Sequence, residues 1–301
     1  MNFNKNKPLD VFLNILFERY RDQVPAVKKI TNALVERGVI ASQNEIINDH
    51  IAFRTMGVPN LGITSFEKIF LHHGYQKRDY YHFESKKLNA YWYSPPSAEY
   101  PRIFMSELIV DQLSDRAQSI IQRYTKHIGK DPVDLLDLGD GKAIGEFFHQ
   151  SLWELPNKKD YQDLLEESEY AAWVIFNRYY LNHYTISVHD LKEGYNTLES
   201  FNEFVESLGL KLNAEGGKIK VSPDGLLRQS STVAQMHLAG FSDGETMPIA
   251  GSYVEFSERL VLPEFRDLPA LSIKPEHRRE GFETGNADKI FESTYIRQTE
   301  S

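Results

Sequence analysis

The chain has 301 residues, 41% hydrophobic and 26% charged, enough to bury the core of one large or two ordinary domains. Asp and Glu outnumber Lys and Arg by 43 to 34, a net charge of −9 that repels phosphate backbones and argues against nucleic acid as a partner. No apolar run reaches the ~20 residues needed to span a bilayer, and with no cysteine the chain has no disulfides, thiolate nucleophiles or Cys-ligated metals. No membrane partner and a cytoplasmic location are the expectations, and any metal must use His and carboxylate ligands.

Residues 1–48 read as amphipathic helices, with Val27, Ile30 and Leu34 at helical spacing. Residues 49–110 change character. A short strand at 50–55 is followed by a Gly/Pro loop and a helix from Thr64 to His73, with Glu67 at capping-box spacing. Strands are expected at 75–83, 87–94 and 102–110. Residues 111–181 form a helical insertion, with helices at 113–128 and 161–180 and a loop between them. Residues 182–260 return to the earlier order: a strand at 182–188, a helix at 195–208, and strands at 217–222, 226–233 and 252–260. Residues 261–301 are a tail with helical periodicity only near 286–292.

The order strand–helix–three strands therefore occurs twice. Asp49-His50-Ile51 opens the first unit and Asn182-His183-Tyr184 the second. Strand alternation puts His50, Ala52 and Arg54 on one face, and Tyr253, Glu255 and Ser257 on another. Two such units closing on each other bring His50, His183 and Glu255 together as a two-His-one-carboxylate set. That set leaves positions open on an octahedral metal and suits non-haem Fe(II). The fold class expected is α+β, two βαβββ modules forming a half-open barrel with added helices.

This order resembles the vicinal oxygen chelate superfamily. Residues 49–55, 102–108, 227–232, 253–256 and 285–294 resemble its 2-oxoadipate dioxygenase/decarboxylase (hydroxyglutarate synthase) branch. The resemblance implies metal ligands at His50, His183 and Glu255, and an Arg54 that holds a substrate carboxylate. It also implies a tail that folds over the cavity as a lid. The chemistry implied is oxidative decarboxylation of 2-oxoadipate to 2-hydroxyglutarate with O2 and Fe(II) or another divalent metal, expected with loss of two CO2. The alternative is a glyoxalase-like isomerase or hydrolase using Zn, Ni or Mn. A third reading is a protein that binds a small acid without turnover.

Glu107 is expected to mirror Glu255 by pseudo-symmetry, as a fourth ligand, as a carboxylate behind the ligands, or as a structural carboxylate. Gln229 and Ser231 share a strand face and are candidates for contacting substrate. His189 lies about 20 Å along the strand from His183, too far for one site. Residues 139–145, Gly-rich but outside any βαβ unit, read as a loop.

Overall fold

The computed structural model describes Phe3 and residues 7–299. Helices α1 (Pro8–Gln23) and α2 (Pro25–Glu36) begin the chain, each with proline in its first turn, where no amide partner is needed. Then come β1 (Asn48–Met56), α3 (Ile63–His72), β2 (Gln76–Phe83), β3 (Leu88–Ser94) and β4 (Arg102–Leu108). The insertion holds α4 (Asp115–Thr125), α5 (Gly141–Phe147), α6 (Lys158–Glu167) and α7 (Glu169–Asn177). The second unit is β5 (His183–Ser187), α8 (Leu198–Ser207), β6 (Lys220–Val221), β7 (Leu227–Ser231) and β10 (Tyr253–Arg259), with a hairpin of β8 (Met236–Gly240) and β9 (Thr246–Ala250) set between β7 and β10. The tail carries α9 (Thr284–Ile290) and α10 (Ile296–Thr299).

One sheet joins the two units in the order β2-β3-β4-β1-β5-β10-β7-β6. Each half has its first strand parallel to its last, β1 with β4 and β5 with β10. The halves meet where β1 and β5 run antiparallel, with His183 opposite Ala52. The sheet curls into a half-open barrel, so the α+β reading of paired βαβββ modules stands.

The register corrects the expected partner of Glu255. His50 lies opposite Arg102, and His183 opposite Tyr253. Counting two residues on from each, the counterpart of Glu255 is Phe104, not Glu107. Glu107 is an odd number of residues from Arg102, so its side chain leaves on the other face. There it accepts the Ile63 amide at 2.6 Å, at the start of α3. Its true counterpart is Glu258, which accepts the Leu198 amide at the start of α8 at 3.2 Å. Both carboxylates sit where the helix dipole favours negative charge. Thr64 is not the cap of α3, whose N-cap is Gly62 with no side-chain bond.

Two further expectations change. The 161–180 stretch is two helices, broken where the Ser168 hydroxyl accepts the Ala171 amide at 3.1 Å. The Gly-rich 139–145 segment is helical from Gly141, capped by Asp140 through the Lys142 and Ala143 amides at 2.9 and 3.1 Å. Its glycines serve close packing. A Cβ on Gly141 would lie 2.8 Å from Pro8 Cα, and one on Gly145 would lie 2.7 Å from Ile15 Cδ1. Gly141→Ala is therefore expected to destabilise the fold by about 1–3 kcal/mol, because backbone must move to admit the methyl. A urea midpoint equal to that of the unaltered protein would contradict this.

Candidate metal centre

β1, β5 and β10 lie side by side, and strand alternation turns His50, His183 and Glu255 into the same concave face. His50 Nε2 is 3.5 Å from Glu255 Oε1, and His183 Nε2 is 3.1 Å from Glu255 Oε2. One donor atom from each residue lies within 4.8 Å of the others. The three residues are 2%, 5% and 1% exposed, so the donor set is sealed from bulk water.

Each imidazole is oriented by the residue before it. Asp49 Oδ1 is 2.8 Å from His50 Nδ1, and Asn182 Oδ1 is 3.1 Å from His183 Nδ1. An oxygen acceptor draws the ring proton to Nδ1 and leaves the Nε2 lone pair facing the centre, the arrangement used by metal-bound histidines. Asp49 is in turn gripped by Arg259, through Nε at 2.5 Å and Nη2 at 2.9 Å, with Arg102 at 3.5 Å.

The charges follow from these contacts. Burial alone would raise the Glu255 pKa, but the two imidazoles bring it down to about 2. Burial lowers His183, so it stays neutral at ordinary pH. For His50 burial is outweighed by the Glu255 and Asp49 carboxylates, which raise it. Burial of Asp49 is likewise outweighed by Arg259 and Arg102, which hold it well below the usual carboxylate range.

Asp49→Asn leaves the buried Arg259 guanidinium without its carboxylate partner and is expected to cost about 3–5 kcal/mol of stability. A depressed carboxylate stabilises above its unfolded pKa and loses that effect as pH falls through its folded value. The gap between the two proteins in urea unfolding should thus be full at neutral pH and narrow below the ordinary Asp range. A gap that widens on acidification would refute the assignment.

Arg54, four residues after His50 on β1, is 1% exposed. Its Nη1 donates to Thr294 Oγ1 and its Nη2 to the Phe291 carbonyl, both at 3.0 Å. The Tyr170 and Trp173 rings each lie 5.1 Å from the guanidinium. It has no carboxylate partner among the described residues, and its Nε is buried without any partner. The Tyr253 hydroxyl and Ser257 Oγ are buried and unpartnered in the same way, on the strand that carries Glu255.

The tail covers this cavity. The Phe282 ring packs on His50 at 4.8 Å and on Phe104 at 4.9 Å. Phe291 and Thr294 hold Arg54, and Ser293 Oγ is 2.8 Å from Ser231 Oγ. Gln229 donates to Glu255 Oε1 at 2.7 Å. Gln229 and Ser231 are thus engaged with a site carboxylate and with the tail. Glu107 lies outside the cavity. His189 also stands apart, its Nδ1 accepting the Arg259 amide at 3.2 Å. Sequence reasoning missed Asp49, Asn182 and Arg259 as supports. The first two were visible as the polar residue before each repeated His; nothing local marked Arg259.

The chain matches the 2-oxoadipate dioxygenase/decarboxylase family over residues 12–272. The chloroplastic/amyloplastic 2-oxoadipate dioxygenase/decarboxylase of Oryza sativa subsp. japonica is 50% identical over 262 residues, 83% of this chain and 70% of that one. The crystal structure of Oryza sativa hydroxyglutarate synthase in complex with 2-oxoadipate aligns with a TM-score of 0.88 at 43% identity, covering 98% of this chain and 95% of that one. A glyoxalase superfamily protein from Ralstonia eutropha JMP134 shares the fold, with a TM-score of 0.68 at 23% identity over 88% of this chain and 87% of that one. Paired modules, converging strands and a match across most of the sequence agree: the chain belongs to the 2-oxoadipate dioxygenase/decarboxylase family.

Proposed function

We propose that this chain converts 2-oxoadipate and O2 to 2-hydroxyglutarate and CO2, with Fe(II) held by His50, His183 and Glu255. One observation carries the reading. A buried two-His-one-carboxylate donor set lies on the same sheet face as a buried arginine that has no carboxylate partner among the described residues. The names of the family and of its rice members support the substrate.

The donor set fits a metal. Its Nε2 atoms are turned inward by Asp49 and Asn182, and its carboxylate is ionised. Fe(II) held by His50, His183 and Glu255 would supply the Lewis-acid and redox chemistry for the reaction of a 2-oxo acid with O2. A divalent ion, one carboxylate ligand, a dianionic substrate and Arg54 sum to zero charge, which lets the buried cavity close over them. Arg54 accepts the carboxylate remote from the metal. Thr294 and the Phe291 carbonyl fix its fork, and the Tyr170 and Trp173 rings keep water from it. Phe282 and the rest of the tail exclude water from the metal side.

The atoms balance with a single decarboxylation. Both atoms of O2 enter the organic acid, one carbon and two oxygens leave as CO2, and the hydrogen count does not change. A six-carbon acid becoming a five-carbon acid releases one CO2, which corrects the expectation of two. The glyoxalase-like alternative loses its distinctive group, since Glu107 caps α3 on the far face. The test is oxygen consumption by metal-stripped protein reloaded anaerobically with Fe(II) and given 2-oxoadipate. Uptake of one O2 per 2-oxoadipate is expected. Turnover without uptake would favour an isomerase or hydrolase, and binding without turnover a sequestering protein; either overturns the proposal.

A further inference from the structure

Gln229 and Asn286 are buried amides, 3% and 2% exposed, standing in line behind Glu255. Asn286 lies on α9, in the tail that covers the cavity. Its Nδ2 faces three oxygens: the Leu227 carbonyl at 3.3 Å, the Lys220 carbonyl at 3.5 Å and Gln229 Oε1 at 3.1 Å. Backbone carbonyls only accept hydrogen bonds, so the Asn286 NH2 must be the group turned toward them. The Gln229 atom it meets must then be an oxygen. That leaves the Gln229 NH2 to donate to Glu255 Oε1 at 2.7 Å. The direction of every amide in the row is thus dictated by two strand carbonyls that have no choice of role.

We infer that Asn286 is a positioning residue for the metal site. It acts through Gln229 to fix the rotation of the Glu255 carboxylate, and it makes that rotation depend on the tail being seated. The inference rests on the metal reading above. Oε1 is tied to the Gln229 amide and lies 3.5 Å from His50 Nε2, while Oε2 lies 3.1 Å from His183 Nε2, so both oxygens border the donor set. Without the Asn286 NH2, the Gln229 amide can turn over. Its oxygen would then face Glu255 Oε1, acceptor against acceptor at 2.7 Å, and Glu255 would swing away. Groups that orient metal ligands in this way commonly contribute ten- to hundredfold to metal affinity or activity. The same row links the centre to its cover. A tail that lifts takes Asn286 with it and releases the carboxylate.

The test uses full-length protein loaded with Co(II), whose visible d–d absorption reports ligand geometry whether or not turnover occurs. Asn286→Ala is compared with Gln229→Ala and with the double variant. Asn286→Ala is expected to weaken Co(II) binding about tenfold and to shift the d–d band as Gln229→Ala does. The double variant should match Gln229→Ala alone, since Asn286 acts through Gln229. Asn286→Leu keeps the bulk and removes the donor without adding charge; it carries the same comparison if the alanine variant does not fold. An unshifted band in the Asn286 variants, or effects that add to those of Gln229→Ala, would overturn the inference and leave the metal site standing. Failure of the unaltered protein to bind Co(II) would overturn both.

Discussion

Changing His50, His183 or Glu255 to Ala is expected to remove most bound metal, with affinity for a divalent ion falling at least about a hundredfold, ~2.7 kcal/mol. Among the described residues these three, from three strands, are the one group whose donor atoms converge for a metal, so none can be spared. The carboxylate change has an added consequence. Glu255 is 1% exposed and is the acidic group in direct contact with both imidazoles. Its loss leaves two buried histidines facing each other, ring centres 5.5 Å apart, without the carboxylate that both imidazoles contact. His237, exposed on β8, is outside the cluster, and His237→Ala should bind metal as the unaltered protein does. Metal analysis after dialysis against a trace of the ion checks both statements. Full occupancy in all three ligand variants would refute the site.

The second large effect is expected at Arg54. Arg54→Lys keeps a positive charge but loses the fork held by Thr294 and the Phe291 carbonyl. We expect metal content to stay unchanged while kcat/KM for 2-oxoadipate falls at least about tenfold, ~1.4 kcal/mol. Arg54→Ala should lose about a hundredfold or more, because the remote carboxylate would be buried without a cation. A 2-oxo acid of similar length without the second carboxylate should be nearly indifferent to either change. Equal losses for both substrates would make Arg54 a support for the Tyr170–Trp173 wall rather than a carboxylate clamp. Unchanged kinetics in folded, metal-loaded variants would remove it from the site.

The His50/His183 pair was legible because a repeat places the same residue type at the same point of two first strands, and strand parity then fixes which neighbours share its face. Parity also carried Arg54 and Glu255. It failed for Glu107, because pseudo-symmetry was counted along the chain and not from the register. Opposite Arg102 and Tyr253, the two halves align Glu107 with Glu258, and both serve helix starts. The β8–β9 hairpin escaped notice because Pro248 sits inside β9, where a proline argues against a strand, and because this two-stranded pair bonds only to itself. Gln229 and Ser231 are buried on the strand beside Glu255, but their partners are Glu255 itself and the tail more than 50 residues later. Such contacts, like Arg259 on Asp49 across 210 residues, leave no local pattern in a sequence.

The most direct test of the central claim is the fate of oxygen when the Fe(II)-loaded protein turns over 2-oxoadipate under 18O2. Losing C1 as CO2 turns C2 into the new carboxylate and leaves C3 to carry the hydroxyl. An oxygenase holding both reactants at His50, His183 and Glu255 is expected to deliver one 18O to each, giving doubly labelled 2-hydroxyglutarate in equal amount to CO2. A five-carbon product with no 18O, or product formed equally well without oxygen, would contradict the account.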